Sequence, residues 1–385
     1  MGACFALQLA SIMGVPASAR LRIAFVAPSL RILGGQAVQA DRLLRAWRDD
    51  PEINAWLVPV NPLPRPFRAA ERIKYARTLV TQVAYWPLLL RELQRADVVH
   101  VFSASYLSFM LAPLPAILVA HALGKPVLLN YRSGEAADHL SRSSIARRAL
   151  ARVERNVVPS GFLRDVFASF KIDSVVIPNI VDGERFRYRQ RDPLRPRLLS
   201  TRNFEALYNV SCTLRAFRLV QDRHPDAELT LVGDGSQRRS LEQLARELSL
   251  QNVTFAGRVS PDQVWRCYDA ADVYVQTPDI DNMPASVLEA YASGLAVVST
   301  DAGGVPYILD HEREGLLAPK NDHHAVAEAV LRLLAFPGLA AHVIAGGRRH
   351  AERCTWDQVR PQWVDAYREL AGARAMASHA VEYLP

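Results

Sequence analysis

Residues 272–319 hold two short apolar runs, each leading through a polar turn into a helix start, and that repetition narrows the fold before any other feature does. Val273 to Gln276 reads as a buried strand, and Pro284 falls near the first turn of the helix after it. Ala296 to Thr300 reads as a second strand running into Gly303-Gly304-Val305-Pro306, another strand-to-helix junction. Strands alternating with helices imply a parallel sheet, and such sheets place ligands beyond the carboxyl ends of their strands. Two carboxylates frame the first junction: Asp281 in the turn, and Glu289 inside the helix about 7.5 Å beyond Pro284 at the helical rise. A rigid ligand with hydroxyls at both ends fits both carboxylates while lying across the free N–H groups of the helix start, and the second junction suits an anion. A sugar nucleotide has that chemistry. Taken singly, each acidic residue also fits an ordinary βαβ unit in which it only caps a helix.

The rest of the chain is consistent with two such α/β units. At 385 residues, 50% of them apolar and 22% charged, it is long enough for two domains. Cys4, Cys212, Cys267 and Cys354 show no metal-ligand spacing and read as reduced thiols of a cytosolic protein. Residues 1–190 carry 25 Lys and Arg against 14 Asp and Glu, whereas residues 191–385 carry 21 against 25. So basic a first half implies an anionic partner such as a lipid phosphate or a membrane surface. No nucleic-acid motif accompanies the charge, and nucleic acid is not expected as a partner. Asp279-Ile280-Asp281 resembles a divalent-metal pair, but two carboxylates in one turn more often cap a helix, and no metal is expected.

Met1 to Ala19 is mildly apolar and ends in Ala17-Ser18-Ala19 without a preceding positive residue; it fits a start extended beyond a true first residue at Met13 as well as a leader. No other run of eighteen apolar residues free of charge occurs, so no spanning segment is expected. Leu21 to Ala27 reads as the first strand, leading to Gly34-Gly35 and a helix from about Ala37 to Arg48. Those glycines let backbone approach a ligand. Arg65, Arg68, Arg72, Lys74 and Arg77, followed by Tyr85-Trp86, form a basic-apolar pattern that fits a bilayer surface or a solvated helix packed by its apolar stripe. Val98 to Val101 is a strand carrying His100, an apolar helix spans about Tyr106 to Leu123, and the next strand ends at Asn130, before Arg132.

The acidic residue, seven intervening residues and Glu-Ala, with Ser293-Gly294, Val297-Val298, Gly303-Gly304-Val305-Pro306 and Gly315-Leu316-Leu317 after them, resemble the donor-site signature of the family 4 retaining glycosyltransferases. The resemblance covers about Leu21 to Leu370 and is strongest over 272–319. It implies the GT-B fold: α/β, two Rossmann-like domains with parallel sheets facing a central cleft. The divisions that follow are an N-terminal extension (1–20), an acceptor domain (21–190), a donor domain (191–355), a helix crossing back to the first domain (356–372) and a tail (373–385). Within that frame Arg185 to Arg197 reads as an exposed linker, and Trp356, Trp363 and Tyr367 as packing residues of the returning helix.

The same resemblance implies roles residue by residue. Glu289 holds the ribose, Asp281 the sugar, and Ala285, Ser286 and the amides of Gly303, Gly304 and Val305 meet the donor. Gly34 and Gly35 lie beneath its diphosphate, and Gly257, Arg258 and Val259 meet the base. Arg202 is the diphosphate ligand. Asp281, Glu289, Arg202 and His100 are the catalytic candidates. Three departures stand out: Asp281 replaces the usual Glu, Arg132 stands where a sugar-contacting His is usual, and Tyr208-Asn209 stands at the place of a second cation, a Lys. Arg132 can bind a hydroxyl or phosphate, compensate for the missing cation, or mark an acidic donor or acceptor, but it cannot shuttle protons.

The implied function is retaining transfer from a UDP- or GDP-linked sugar, without a separate cofactor, to a lipid-linked saccharide in polysaccharide, lipopolysaccharide or glycolipid assembly. The implied location is cytoplasmic, at the inner face of the membrane. Two alternatives remain: a catalytically weak donor-binding assembly subunit, and a sugar-nucleotide epimerase or phosphorylase on the same fold.

Overall fold

The structure, a computed structural model, describes residues 20–31, 34–62 and 74–382. The expectations for residues 1–19, for Arg65, Arg68 and Arg72, and for the side chains of Lys74 and Arg77 lie outside the described residues.

Alternating apolar strands and amphipathic helices produce two parallel six-stranded sheets. The first has the order β2-β1-β3-β4-β5-β6, from β1 (Leu21–Ala27), β2 (Ile53–Pro59), β3 (Val98–Ser103), β4 (Val127–Tyr131), β5 (Arg155–Val158) and β6 (Val175–Val176). The second has the order β12-β11-β10-β7-β8-β9, from β7 (Arg197–Ser200), β8 (Glu228–Val232), β9 (Val253–Gly257), β10 (Val273–Gln276), β11 (Ala296–Thr300) and β12 (Leu316–Ala318). The central strands β3, β4, β10 and β11 are buried throughout, because helices cover both faces of each sheet. This is the doubly wound architecture expected from the sequence, and it directs the carboxyl ends of both sheets at one cleft.

Helix Trp356–Glu382 returns from the second half to the first. Val359, Trp363, Tyr367 and Leu370 pack with Ile23, Phe25, Trp47 and Val98 in one core. Arg360 secures it by donating to Asp50 at 2.6 Å and to Glu52 at 2.9 Å. The helix runs twelve residues past the expected end near Leu370, with no break at residue 373.

Three local features depart from or refine what the sequence implies. Residues 106–122 form two helices, since Pro113 opens the second, Pro113–Ala122, where its missing N–H is tolerated. β2 went unread, although Ile-Asn-Ala-Trp-Leu-Val carries strand-forming residues in register with β1. The connection before β7 is irregular and largely exposed, as expected, but it is anchored at two points: Phe186 is buried, and Arg191, also buried, donates to the carbonyls of Ala271 at 2.8 Å and Tyr268 at 2.9 Å. A run of arginines looks solvated in sequence, yet these carbonyls and Asp272 receive the charge inside.

No single helix among the described residues is long and apolar enough to cross a membrane. Helix Lys74–Leu93 buries Tyr85 and Leu89 while exposing Val83, Trp86 and Leu90, which share one face.

Candidate active site

Two cavities open side by side in the cleft. The larger, about 410 Å³, is lined by Gly34, Gly35 and Arg42 from the first half and by Arg202, Arg258, Val259, Ser286 and Glu289 from the second. The smaller, about 280 Å³, lies between Gln39, Arg132 and Asn179 on one side and Asp281, Asn282 and Met283 on the other. Gly35, Arg202, Tyr208 and Ala285 line both, so the two are joined.

Two helix starts converge here. Gly34 is the extended residue before helix Gly35–Ala46, and no side chain caps that end. Pro284 plays the same part before helix Ala285–Ser293, again without a side-chain cap. Unoccupied N–H groups and the positive ends of both dipoles therefore point into the cleft, which favours an anion.

Glu289 sits a turn inside the second helix and is 7% exposed. Its carboxylate accepts from the Tyr268 hydroxyl at 2.7 Å and forms an ion pair with Arg42, which crosses from the first half. Burial first, and the Glu289 charge second, push the Tyr268 phenol well above its ordinary range, so it remains a donor. One buried N–H of Arg42, at Nη1, has no partner.

Arg202 follows β7 and pairs with Asp281. It donates from Nη1 to Ser286 Oγ at 3.3 Å and lies 4.0 Å from the centre of the Tyr208 ring. Burial acts to lower its pKa, but Asp281 and neighbouring phenols outweigh this and raise it, so the guanidinium stays charged. Tyr208, at the place of the second cation, thus supplies an aromatic face to Arg202 instead of a charge. Asp281 lines the smaller cavity and Glu289 the larger, with Arg202 and Ala285 between, in line with the helical spacing read from sequence.

Three expectations do not survive in the form given. The Gly304 amide donates to the Asp281 carbonyl at 3.0 Å and the Val305 amide to the Ala302 carbonyl at 2.9 Å, so neither is free for a ligand. A Cβ at Gly303 would stand 2.3 Å from the Asp281 carbonyl oxygen, and one at Gly304 2.1 Å from that of Asn282. Gly303-Gly304-Val305 is instead the backing against which the 281–282 turn rests, and it opens only a short 3-10 turn, Val305–Tyr307. Gly257 does not line either cavity; its carbonyl accepts from the Gly233 amide at 2.9 Å, while Arg258 and Val259 do reach the larger one.

His100 is also displaced from the role expected of it. It has no solvent exposure, because the returning helix covers it: Nδ1 lies 2.7 Å from the Tyr367 hydroxyl and the ring stacks on Phe102. Nε2 lies 3.1 Å from Asn130 Nδ2, and Asn130 Oδ1 accepts from Arg132 at 3.2 Å. Burial and then the Arg132 charge hold its pKa well below the ordinary value. A neutral, sealed imidazole two bonds from the cavity positions Arg132 through Asn130 and touches no ligand.

Arg42, Tyr268, Gln39 and Asn179 belong to the site and were not picked out from sequence. No group of three or more His, Cys, Asp or Glu side chains able to hold a metal forms among the described residues.

Two facing parallel sheets with a polar, anion-seeking cleft define a GT-B glycosyltransferase architecture. The model of the family described as glycosyl transferases group 1 matches residues 184–350, and that of glycosyltransferase family 4 matches residues 33–185. The chain belongs to the family 4 type of glycosyltransferases. It is 30% identical over 284 residues to the D-inositol 3-phosphate glycosyltransferase of Saccharomonospora viridis, covering 68% of this chain and 66% of that one. It is 27% identical over 217 residues to the GDP-mannose-dependent alpha-(1-6)-phosphatidylinositol monomannoside mannosyltransferase of Mycobacterium tuberculosis, 51% of this chain and 56% of that one. The chain thus spans between about half and two thirds of these curated relatives. In fold it is similar to HepE of Anabaena, solved with UDP and glucose, at a TM-score of 0.71 and 14% identity over 90% of this chain and 99% of that one. It is also similar to a sucrose-phosphate synthase of Thermosynechococcus elongatus, at 0.69 and 20% over 92% and 100%.

Proposed function

We propose that this chain is a retaining glycosyltransferase that moves a sugar from a UDP- or GDP-linked donor to a lipid-linked saccharide in polysaccharide, lipopolysaccharide or glycolipid assembly. The observation that carries the reading is the placement of Glu289 and Asp281 in joined cavities, with Arg202 and two uncapped helix starts between them. The base lies toward Arg258 and Val259, and the ribose hydroxyls take the place of Arg42 on Glu289. The diphosphate meets Arg202 and the helix-start amides at Gly35 and Ala285. Sugar hydroxyls reach Asp281.

Transfer is at the front face. The bond from the anomeric carbon to the diphosphate breaks, its electron pair leaving with the diphosphate oxygen. The acceptor oxygen bonds to the same carbon from the same side and gives its proton to that oxygen. Arg202 opposes the charge that develops, an effect worth about 10²–10³ in rate for one such donor. No carboxylate is assigned as a nucleophile.

Relatives named for phosphatidylinositol mannosides and inositol phosphate support the acceptor class. The exposed Val83, Trp86 and Leu90 on a basic half support contact with the inner face of a membrane. Tyr208 in place of a second cation favours a second reading, a donor-binding assembly subunit with weak activity.

The test is a thermal-shift titration against nucleotides and nucleotide sugars, with Glu289→Ala and Arg202→Ala alongside, followed by product analysis. Stabilisation by one nucleotide class, lost in both variants, supports the donor site. Binding without any product favours the subunit, and a folded protein stabilised by no nucleotide rejects both.

A further inference from the structure

The smaller cavity contains polar groups that nothing in the protein satisfies. Arg132 makes one side-chain hydrogen bond, to Asn130 Oδ1 at 3.2 Å, and its guanidinium lies 5.6 Å from the Phe102 ring centre. Among the described residues no carboxylate pairs with it. Asp281, the nearby candidate, is already paired with Arg202, and Glu135 on the exposed rim forms no ion pair with it. Burial alone pushes the Arg132 pKa down to about 9. Gln39, 3% exposed, lines the same cavity with Nε2 unpartnered, and Asn179, 4% exposed, does so with Oδ1 unpartnered.

Arg132 is half-buried, and a charge so far withdrawn from water without a charged partner is costly, a cost that a neutral hydroxyl answers only in part. An anion answers it directly, and a guanidinium is built for carboxylate or phosphate. The diphosphate is not the partner sought, because Arg132 is absent from the lining of the larger cavity, where Gly34 and Glu289 lie. The chain Tyr367–His100–Asn130 then has a purpose: it fixes this cleft cation, which no carboxylate among the described residues matches.

We propose that the smaller cavity selects a sugar bearing an acidic substituent, a carboxylate or phosphate group, which Arg132 binds while Gln39 Nε2 donates to a neighbouring oxygen and Asn179 Oδ1 accepts from a neighbouring sugar hydroxyl. This rests on the glycosyltransferase reading and specifies its substrate class. The acid is carried either by the transferred sugar or by the acceptor, and the two sources separate by experiment.

Calorimetry on the full chain supplies the test. In a donor arm, UDP, UDP-glucose and UDP-glucuronate are compared, together with GDP, GDP-mannose and GDP-mannuronate. In an acceptor arm, glucose and glucose 6-phosphate are titrated with and without saturating nucleotide. The expected result is at least a tenfold preference for the acid over its neutral counterpart in one arm, erased by Arg132→Gln, with free nucleotide affinity unchanged within twofold. No acid preference in either arm overturns the proposal, as does an Arg132→Gln variant that weakens free nucleotide as much as it weakens the acid. Nucleotide binding without acid preference refutes the proposal alone. Absence of nucleotide binding refutes the donor-site reading, and the nucleotide-free titration with glucose 6-phosphate still decides whether Arg132 reads an acid.

Discussion

The two joined cavities hold their positive charge in opposite ways. Around the larger one each arginine is matched: Arg42 by Glu289, Arg202 by Asp281, and Arg258 by Asp234 at 3.4 Å. In the smaller one Arg132 has only a neutral amide and an aromatic face. Matched pairs shape the cleft before a ligand arrives and must exchange partners when it does. The unmatched cation lowers the stability of the empty protein and is relieved only on binding. The same residue type should therefore respond with opposite signs when it is removed from the two places.

The largest effect is expected at Arg202. Arg202→Met leaves the largely buried Asp281 carboxylate without its partner, costing about 3–5 kcal/mol of stability, and slows transfer by roughly 10²–10³. Denaturant unfolding and single-turnover kinetics measure the two losses. A variant as stable as the parent would show that the pair is not a structural element and break the comparison at its strongest point.

Glu289→Ala comes next. It removes two charge-assisted contacts to a ribose, worth about 3 kcal/mol together, and so weakens free nucleotide about 100-fold by calorimetry. Unchanged affinity would move the nucleotide out of the larger cavity. Arg42→Ala is smaller and of the other sign: Tyr268 still serves Glu289 at 2.7 Å, but the ribose no longer competes with a guanidinium, so nucleotide binds about three- to tenfold more tightly. Loss of binding in that variant would make Arg42 a ligand contact instead of a competitor.

The legibility of these residues in sequence follows the distance over which their surroundings are set. The strands β10 and β11, the intervening helix, and the carboxylates Asp281 and Glu289 were readable because a local period and a short spacing fix them. Arg202 was readable from the end of its strand. Arg42 was not, since its partner lies 247 residues away on the other half. Gly303-Gly304-Val305 looked like open amides because the turn that consumes them, at 281–282, approaches only in the folded chain. His100 looked like a cleft residue at a strand end, until a helix from the far end of the chain closed over it. Arg191 looked as solvated as the exposed connection around it for the same reason in reverse, since carbonyls from two distant segments receive it. Local grammar placed the elements, and contacts between halves decided which groups stayed free.

The smallest effect tests the comparison most directly, because its sign is opposite to the first. Arg132→Met removes a cation that has no carboxylate partner, and the empty variant should melt higher than the parent, by about 2–4 °C for each kcal/mol recovered. Since burial holds the folded pKa of Arg132 at about 9, below that of the unfolded chain, its cost is full below that pH and fades above it. The gap in melting temperature between variant and parent should thus narrow from pH 8 to pH 10. Glu135, Tyr208 and Asp281 face the same cavity in both proteins. His100, on the other side of Asn130, is held neutral across this range, and Arg202 stays charged. A variant that melts lower than the parent at every pH would mean that Arg132 holds the cavity wall together, and the contrast between matched and unmatched cations would fall.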